Sequence, residues 1–224
     1  MMITNDKQSH IAGSEDPTCK EILSCDDKEI IKKELERKYP GAMEHVQKLL
    51  KLLGDNPDRE GLKDTPYRVI KSWLEIYGGY DADANQLHTF FEEGIGKNTD
   101  EIIICKDITF YSVCEHHMQP FSGVCHIGYL PDVKVIGLSK LVRLVEMFSR
   151  RLQIQEKLCS QIADTLYGMM GAQGVGVIIE AQHLCMQARG VKNNTSKMVT
   201  SAMRGKFKTQ PQTRAEFLSL IKST

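Results

Sequence analysis

Residues Ile102 to Leu130 read IIICKDITFYSVCEHHMQPFSGVCHIGYL. Both ends of this stretch, Ile102 to Tyr111 and Phe121 to Leu130, are rich in β-branched and aromatic residues and are bounded by turn formers, so each is expected to be a strand. The connection between them carries Cys114-Glu115-His116-His117. Downstream, Val175 to Cys185 and Met198 to Phe207 read as two further strands. Between the strand pairs lie two helical patterns. Ser139 is the expected N-cap of a helix whose Leu141, Leu144, Val145, Phe148 and Leu152 form one apolar face. A second helix, Gln155 to Met170, aligns Leu158, Ile162, Leu166 and Met169 and stops in Gly171 to Gly174. Two strands, two helices and two strands make an α+β fold, most economically a four-stranded antiparallel sheet with the helices on one face. Such a sheet has edges that invite pairing with other subunits.

Working outward, residues 1–26 are polar without an apolar period and are expected to form a mobile N-terminal tail. Residues 27–98 read as an N-terminal helical part, and residues 99–224 as the catalytic domain. Helix signals begin at Asp27, pause at Pro40-Gly41 and resume with Met43, Val46, Leu49, Leu50 and Leu53 until Gly54. Thr65-Pro66 reads as an N-cap followed by proline at the first helical position, opening a helix that runs through Trp73 and Tyr77 to Gly78-Gly79.

Composition removes several function classes. Lys plus Arg equals Asp plus Glu at 29 each among 224 residues, so no overall basic field calls for nucleic acid and charge recognition must be local. No apolar run approaches the ~20 residues of a membrane span, and Met1 to Cys25 lacks a signal-peptide core, so a soluble, cytoplasmic protein is expected. Seven cysteines without the spacing of a disulfide framework suit a reducing compartment that keeps thiolates available for metal. The sequons in Asn193-Asn194-Thr195-Ser196 are chance matches on that reading.

Cys114, His117 and Cys185 are the candidate metal ligands. Thiolate and imidazole suit Zn²⁺, and a catalytic site holds it with three protein ligands and water in the fourth position. Cys114 and His117 need a turn to converge, which the connection supplies. His183 and Cys185 fall on one face at the end of an expected strand. His116 and His183 are left beside the metal, able to move protons. Single buried cysteines and hydrogen-bonded histidines are the blander reading. A closed structural site with Cys125 or His126 as a fourth ligand is the stronger rival.

Lys140 and Arg143 stand in the first turn of their helix, where the macrodipole disfavours cations unless an anion is bound. Arg68 and Lys71 repeat the pattern on one face of the Thr65-Pro66 helix, and Arg189 follows Cys185 closely. Together they point to a polyphosphate substrate. No G-x-x-x-x-G-K-[ST] loop is present to bind it in P-loop fashion. Gln155 and Glu156 offer an amide and a carboxylate that can read a base edge.

These residues sit in strings similar to those of the GTP cyclohydrolase I family. They are CEHHMQPFSG at Cys114 to Gly123, HIGYLP at His126 to Pro131, VIGLSKL at Val135 to Leu141 and RRLQIQE at Arg150 to Glu156, then EAQHLCM at Glu180 to Met186, RGV at Arg189 to Val191 and TRAEF at Thr213 to Phe217. The likeness runs from about Tyr39 to Ile221. It implies a tunnelling fold, with sheets of neighbouring subunits joined into a barrel, a homodecamer and active sites between subunits. It implies a reaction in which GTP and water give formate and 7,8-dihydroneopterin triphosphate, at the entry to folate or tetrahydrobiopterin. It assigns zinc to Cys114, His117 and Cys185, with water activated there for addition to C8 of guanine. His183 becomes the proton donor to the purine N7 and His116 a second donor. Gln155 and Glu156 read guanine, and Ser139, Lys140, Arg143, Arg189, Arg68 and Lys71 surround the triphosphate. A feedback regulatory protein is a further possible partner. Two other classes fit parts of the chain: a tunnelling-fold nitrile reductase using NADPH and a nucleophilic cysteine, and a zinc-stabilised interaction module without chemistry. The three-ligand set opposes the first, and the two non-ligand histidines with Glu156 oppose the second.

Overall fold

A computed structural model of the chain describes residues 18–87, 90–91 and 101–222. The chain divides into two compact units, Met1–Gly78 and Gly79–Thr224.

The described part of the first unit is helical. Thr18 opens α1 (Cys19–Ser24) with a reciprocal cap: its hydroxyl accepts from the Glu21 amide, and the Glu21 carboxylate accepts from the Thr18 amide. In α2 (Lys28–Lys38) the Asp27 carboxylate accepts from the amides of Glu29 and Ile30. Next come α3 (Ala42–Leu52) and α4 (Thr65–Ile76). The N-cap of α4 is Asp64, one residue before the expected Thr65, and its carboxylate is paired with Lys28. Ile22, Cys25, Ile31, Leu35, Val46 and Ile70 form this unit's core. Within the segment expected as a mobile tail, Cys19–Ser24 are helical, and residues 1–17 lie outside the described residues. Six helical residues are too few to show an apolar period, and such a helix is held by burying Ile22 rather than by its own propensity.

The second unit is built on a sheet. After β1 (Phe90–Phe91) come β2 (Ile103–Cys114), β3 (Pro120–Leu130), β4 (Val135–Ile136), helix α5 (Leu138–Ser149), β5 (Leu152–Gln153), helix α6 (Gln155–Met170), β6 (Gly174–His183), the short helix α7 (Leu184–Gln187), β7 (Met198–Gly205), α8 (Lys206–Thr209) and α9 (Pro211–Lys222). Strand order is β5-β2-β3-β6-β7, with β1 and β4 forming a separate antiparallel pair. The four long strands are antiparallel throughout, as the α+β reading expects. One addition is β5, which pairs parallel with Val113 and Cys114 and takes Leu152 out of the α5 face on which it was expected. Helix α5 begins at Leu138 with Gly137 as its cap, so Ser139 lies inside the first turn.

One face of the sheet carries α5 and α6, where Leu144, Val145, Leu158, Ile162 and Leu166 pack with Phe110, Ile127, Val177 and Ile179. Helix α6 closes at Gly171, whose left-handed φ of 59° is the usual helix-ending conformation. The opposite face has a cover of its own. Phe207 and Phe217, from α8 and α9, meet edge to face at 5.2 Å and pack with Leu130 and Ile178. Gly128 and Gly176 are register partners beneath them, and a Cβ at either would come within 2.5 to 2.6 Å of a phenylalanine ring atom. The expectation of helices on one face alone is thus incomplete, and Phe207 ends up in α8 rather than in a strand. No helix among the described residues is long and apolar enough to cross a membrane.

Phe217→Ala is expected to lower unfolding stability by about 3–5 kcal/mol, the usual cost of a large aromatic-to-alanine cavity. Urea denaturation checks it. A loss below about 1 kcal/mol would show that the C-terminal cover is not part of the cooperative fold.

Candidate active site

The loop 115–119 turns the chain back over the end of β2. The Met118 amide donates to the Cys114 carbonyl at 2.9 Å, and the Cys114 amide to the Gln119 carbonyl at 2.9 Å. Met118 takes a left-handed φ of 51°, uncommon for a residue with a side chain. Two ties hold the loop laterally: the Glu115 amide donates to the Gln153 carbonyl at 3.0 Å, and the Glu115 carboxylate lies 3.7 Å from the Lys157 ammonium. The result swings two imidazoles over one thiol. Nδ1 of His116 is 3.9 Å, and Nδ1 of His117 3.8 Å, from Sγ of Cys114.

Cys185 reaches the same place from two strands away. Strands β2 and β6 are separated by β3, hence by about 10 Å at two inter-strand spacings. Thiols on strands so placed cannot meet. The extended run expected through Cys185 indeed stops at His183, and Cys185 sits in the helical turn α7. One donor atom each from Cys114, His117 and Cys185 then lies within 4.8 Å of the others. Tetrahedral zinc at ordinary bond lengths sets its ligand atoms about 3.3–3.8 Å apart, so the trio needs only slight contraction to hold it. Cys114 is buried, Cys185 half-buried and His117 exposed. Burial pushes the Cys185 thiol up, the adjacent Cys114 sulfur pushes it further, and Arg189 opposes both. A divalent cation between the two sulfurs reverses that repulsion. Cys125 is fully buried in the sheet, and His126 accepts the Asp107 amide through Nδ1 at 3.2 Å. Neither joins the donor group among the described residues.

His183 stands beside this centre without belonging to it. Its ring stacks on Phe121, its register partner on β3, with centroids 4.5 Å apart and planes 4° from parallel. Nε2 is 2.9 Å from Oε1 of Gln155, the first residue of α6. Burial lowers the pKa of the imidazole, opposed in part by the nearby Glu156 charge.

Over residues 42–222 the sequence matches the family described as GTP cyclohydrolase I. The chain belongs to the GTP cyclohydrolase I family. It is 51% identical to the GTP cyclohydrolase 1 of Wolinella succinogenes over 189 residues, 84% of this chain and 100% of that protein. With the GTP cyclohydrolase 1 of Coxiella burnetii it shares 49% over 181 residues, 80% of this chain and 96% of the other. A solved structure, archaeosine synthase QueF-Like in the apo form, aligns with 48% of this chain and 97% of its own at 15% identity and a TM-score of 0.41.

The other expected site residues of this GTP cyclohydrolase I family member are distributed as follows. Glu156 is exposed at the start of α6, and its charge reaches His183. Gln155, expected to read the base with Glu156, is 1% exposed, and its amide bonds inside the protein to the Ile179 and Met198 carbonyls and to His183. Ser139 and Arg143 are exposed on the first turns of α5, with Lys140 half-buried between them. Arg189 follows α7 closely enough to act on the Cys185 thiol. Arg68 and Lys71 lie in the first unit on α4, lining a cavity of about 620 Å³ with Leu23, Tyr67, Ser72 and Glu75. Lys71 donates to the Cys25 carbonyl at 3.5 Å. Phe121, Lys157 and Thr200 support the site through His183, Glu115 and Gln155, contacts that no local sequence pattern marks. Only the register of β3 on β6 could have signalled Phe121.

Cys185→Ser is expected to leave the purified protein with little bound zinc, whereas His183→Ala keeps it, as metal analysis by plasma emission will read. A His183→Ala protein without metal would place that ring among the ligands.

Proposed function

We propose that the conversion of GTP and water to formate and 7,8-dihydroneopterin triphosphate, the reaction of this chain's family, runs on the centre formed by Cys114, His117 and Cys185. The observation that carries this is a three-donor cluster with a stacked, hydrogen-bonded histidine beside it that is not one of the donors. Cys114, His117 and Cys185 would hold a zinc ion, and when bound it would supply Lewis acidity for the addition of water to C8 of the guanine. The protein's residues do the remainder.

His183, its plane set by Phe121, is the proton donor to the purine nitrogen adjoining C8. His116, exposed on the ligand loop, is a second donor for ring opening. The Glu156 carboxylate accepts from N1–H and the 2-amino group of guanine, a pairing that adenine cannot make. Ser139, Lys140, Arg143, Arg189, Arg68 and Lys71 are assigned to the triphosphate. None of the five cations among them makes an ion pair with a carboxylate of this chain among the described residues, which suits groups kept for an anionic ligand.

The assembly belongs to the same proposal: a tunnelling-fold homodecamer with active sites between subunits. Strand β7 is one sheet edge, and β2 is covered by β5 only at Val113 and Cys114. Among the described residues two long edges are therefore left for pairing with other copies.

Purified protein is expected to carry about one zinc per chain and to convert GTP into a pterin that fluoresces after oxidation. Zinc without turnover would favour the interaction module, and NADPH consumption with a nitrile substrate would favour the reductase. Glu156→Ala is expected to weaken GTP binding by about 1.5–3 kcal/mol, roughly ten- to a hundredfold, with zinc content unchanged. Steady-state kinetics with GTP and metal analysis read both, and an unchanged KM would remove Glu156 from base recognition.

A further inference from the structure

The side chain of Gln155 is buried and faces two backbone carbonyls on one side. Its Nε2 donates to the carbonyl of Ile179 at 3.0 Å and to that of Met198 at 2.9 Å, with Oγ1 of Thr200 at 3.2 Å. Carbonyl oxygens cannot donate, so the nitrogen of this amide must point at them and the assignment of its two ends is fixed. The oxygen is thereby turned toward His183, with Oε1 2.9 Å from Nε2 of the ring. An amide oxygen only accepts. Nε2 of His183 must therefore carry the hydrogen, and the neutral ring keeps its lone pair at Nδ1.

The geometry points to Gln155 as a positioning residue that holds His183 in its Nε2–H tautomer and leaves Nδ1 as the one ring atom that exchanges a proton with substrate. This rests on the reading of His183 as a proton donor. In the donating state both nitrogens are protonated, Nδ1 gives its proton to the purine nitrogen, and the ring returns to the neutral form already bonded to Gln155. The stack on Phe121 fixes the ring plane and the amide fixes which edge faces inward, so neither a ring flip nor a tautomer exchange is needed between turnovers. Gln155 spans the start of α6 and the strands β6 and β7, through Ile179, Met198 and Thr200, and so ties the orientation of His183 to the sheet itself.

The test uses the zinc-loaded full chain labelled with ¹⁵N in its histidine rings, with the His183 signals taken as those lost in His183→Ala. Solid-state ¹⁵N spectra are expected to show a protonated Nε2 and a bare Nδ1 for neutral His183. In Gln155→Leu the tautomers are expected to mix, with kcat down roughly ten- to a hundredfold, KM for GTP within about threefold and zinc content unchanged. Gln155→Glu keeps an acceptor for the ring and is expected to restore the Nε2–H tautomer and most of kcat. A bare Nε2 in the wild-type protein would overturn the proposal, as would Gln155→Leu raising KM at constant kcat, the mark of a base reader. If Gln155→Leu does not fold, the wild-type spectrum and Gln155→Glu decide alone. Absence of zinc or of GTP turnover would instead refute the functional reading, and the tautomer is read independently of it.

Discussion

Two cysteine sulfurs brought together from strands that are not neighbours are the constraint on which the rest of the site depends. Antiparallel order places β3 between Cys114 and the strand leading to Cys185, so an unbroken sheet would hold the sulfurs about 10 Å apart. The chain leaves the sheet on both sides to close that gap. On one side the loop 115–119 folds back with Met118 in a left-handed conformation; on the other β6 ends at His183 and turns into α7. Each departure also places an imidazole that the sulfurs do not need, His116 on the loop and His183 at the strand end. Burial and the neighbouring Cys114 sulfur push the Cys185 thiol up, a cost that a cation placed between the two sulfurs would offset.

The scaffold around this point is stiff where the chemistry demands it. His183 is fixed by Phe121 and Gln155, and Gln155 by two backbone carbonyls of the sheet. The ligand loop is tied to β5 and to α6 through Glu115. Behind these contacts lies the fully buried packing of Leu158, Ile162 and Leu166 on the sheet. By contrast Arg143, Arg189 and Arg68, the guanidinium groups proposed to meet the triphosphate, are exposed.

How much of this the sequence carries depends on the range of the interaction. The alternating, β-branched runs around Cys114 and the apolar faces of α5 and α6 are local patterns, and they foretell the α+β sheet and its helical cover. The meeting of Cys114, His117 and Cys185 is legible because a C-x-x-H turn and a cysteine just past a strand together make a zinc-like donor pattern. Nothing local marks Gln155: its neighbour Glu156 is exposed while Gln155 is buried, and only the meeting of α6 with β6 and β7 decides which reaches solvent. The end of β6 at His183 is hidden for a similar reason, since His183 and Cys185 continue the strand's alternation until the need to cross β3 breaks it. The Phe207–Phe217 cover depends on paired glycines from two strands, a match visible only once register is set.

The central claim is a cation held by two sulfurs and one imidazole with a position left open. X-ray absorption at the zinc edge of the purified protein tests it most directly. The account predicts two sulfurs at about 2.3 Å, one imidazole nitrogen at about 2.0 Å and one further light atom that no side chain supplies. A shell of four protein ligands, or one lacking sulfur, would contradict it.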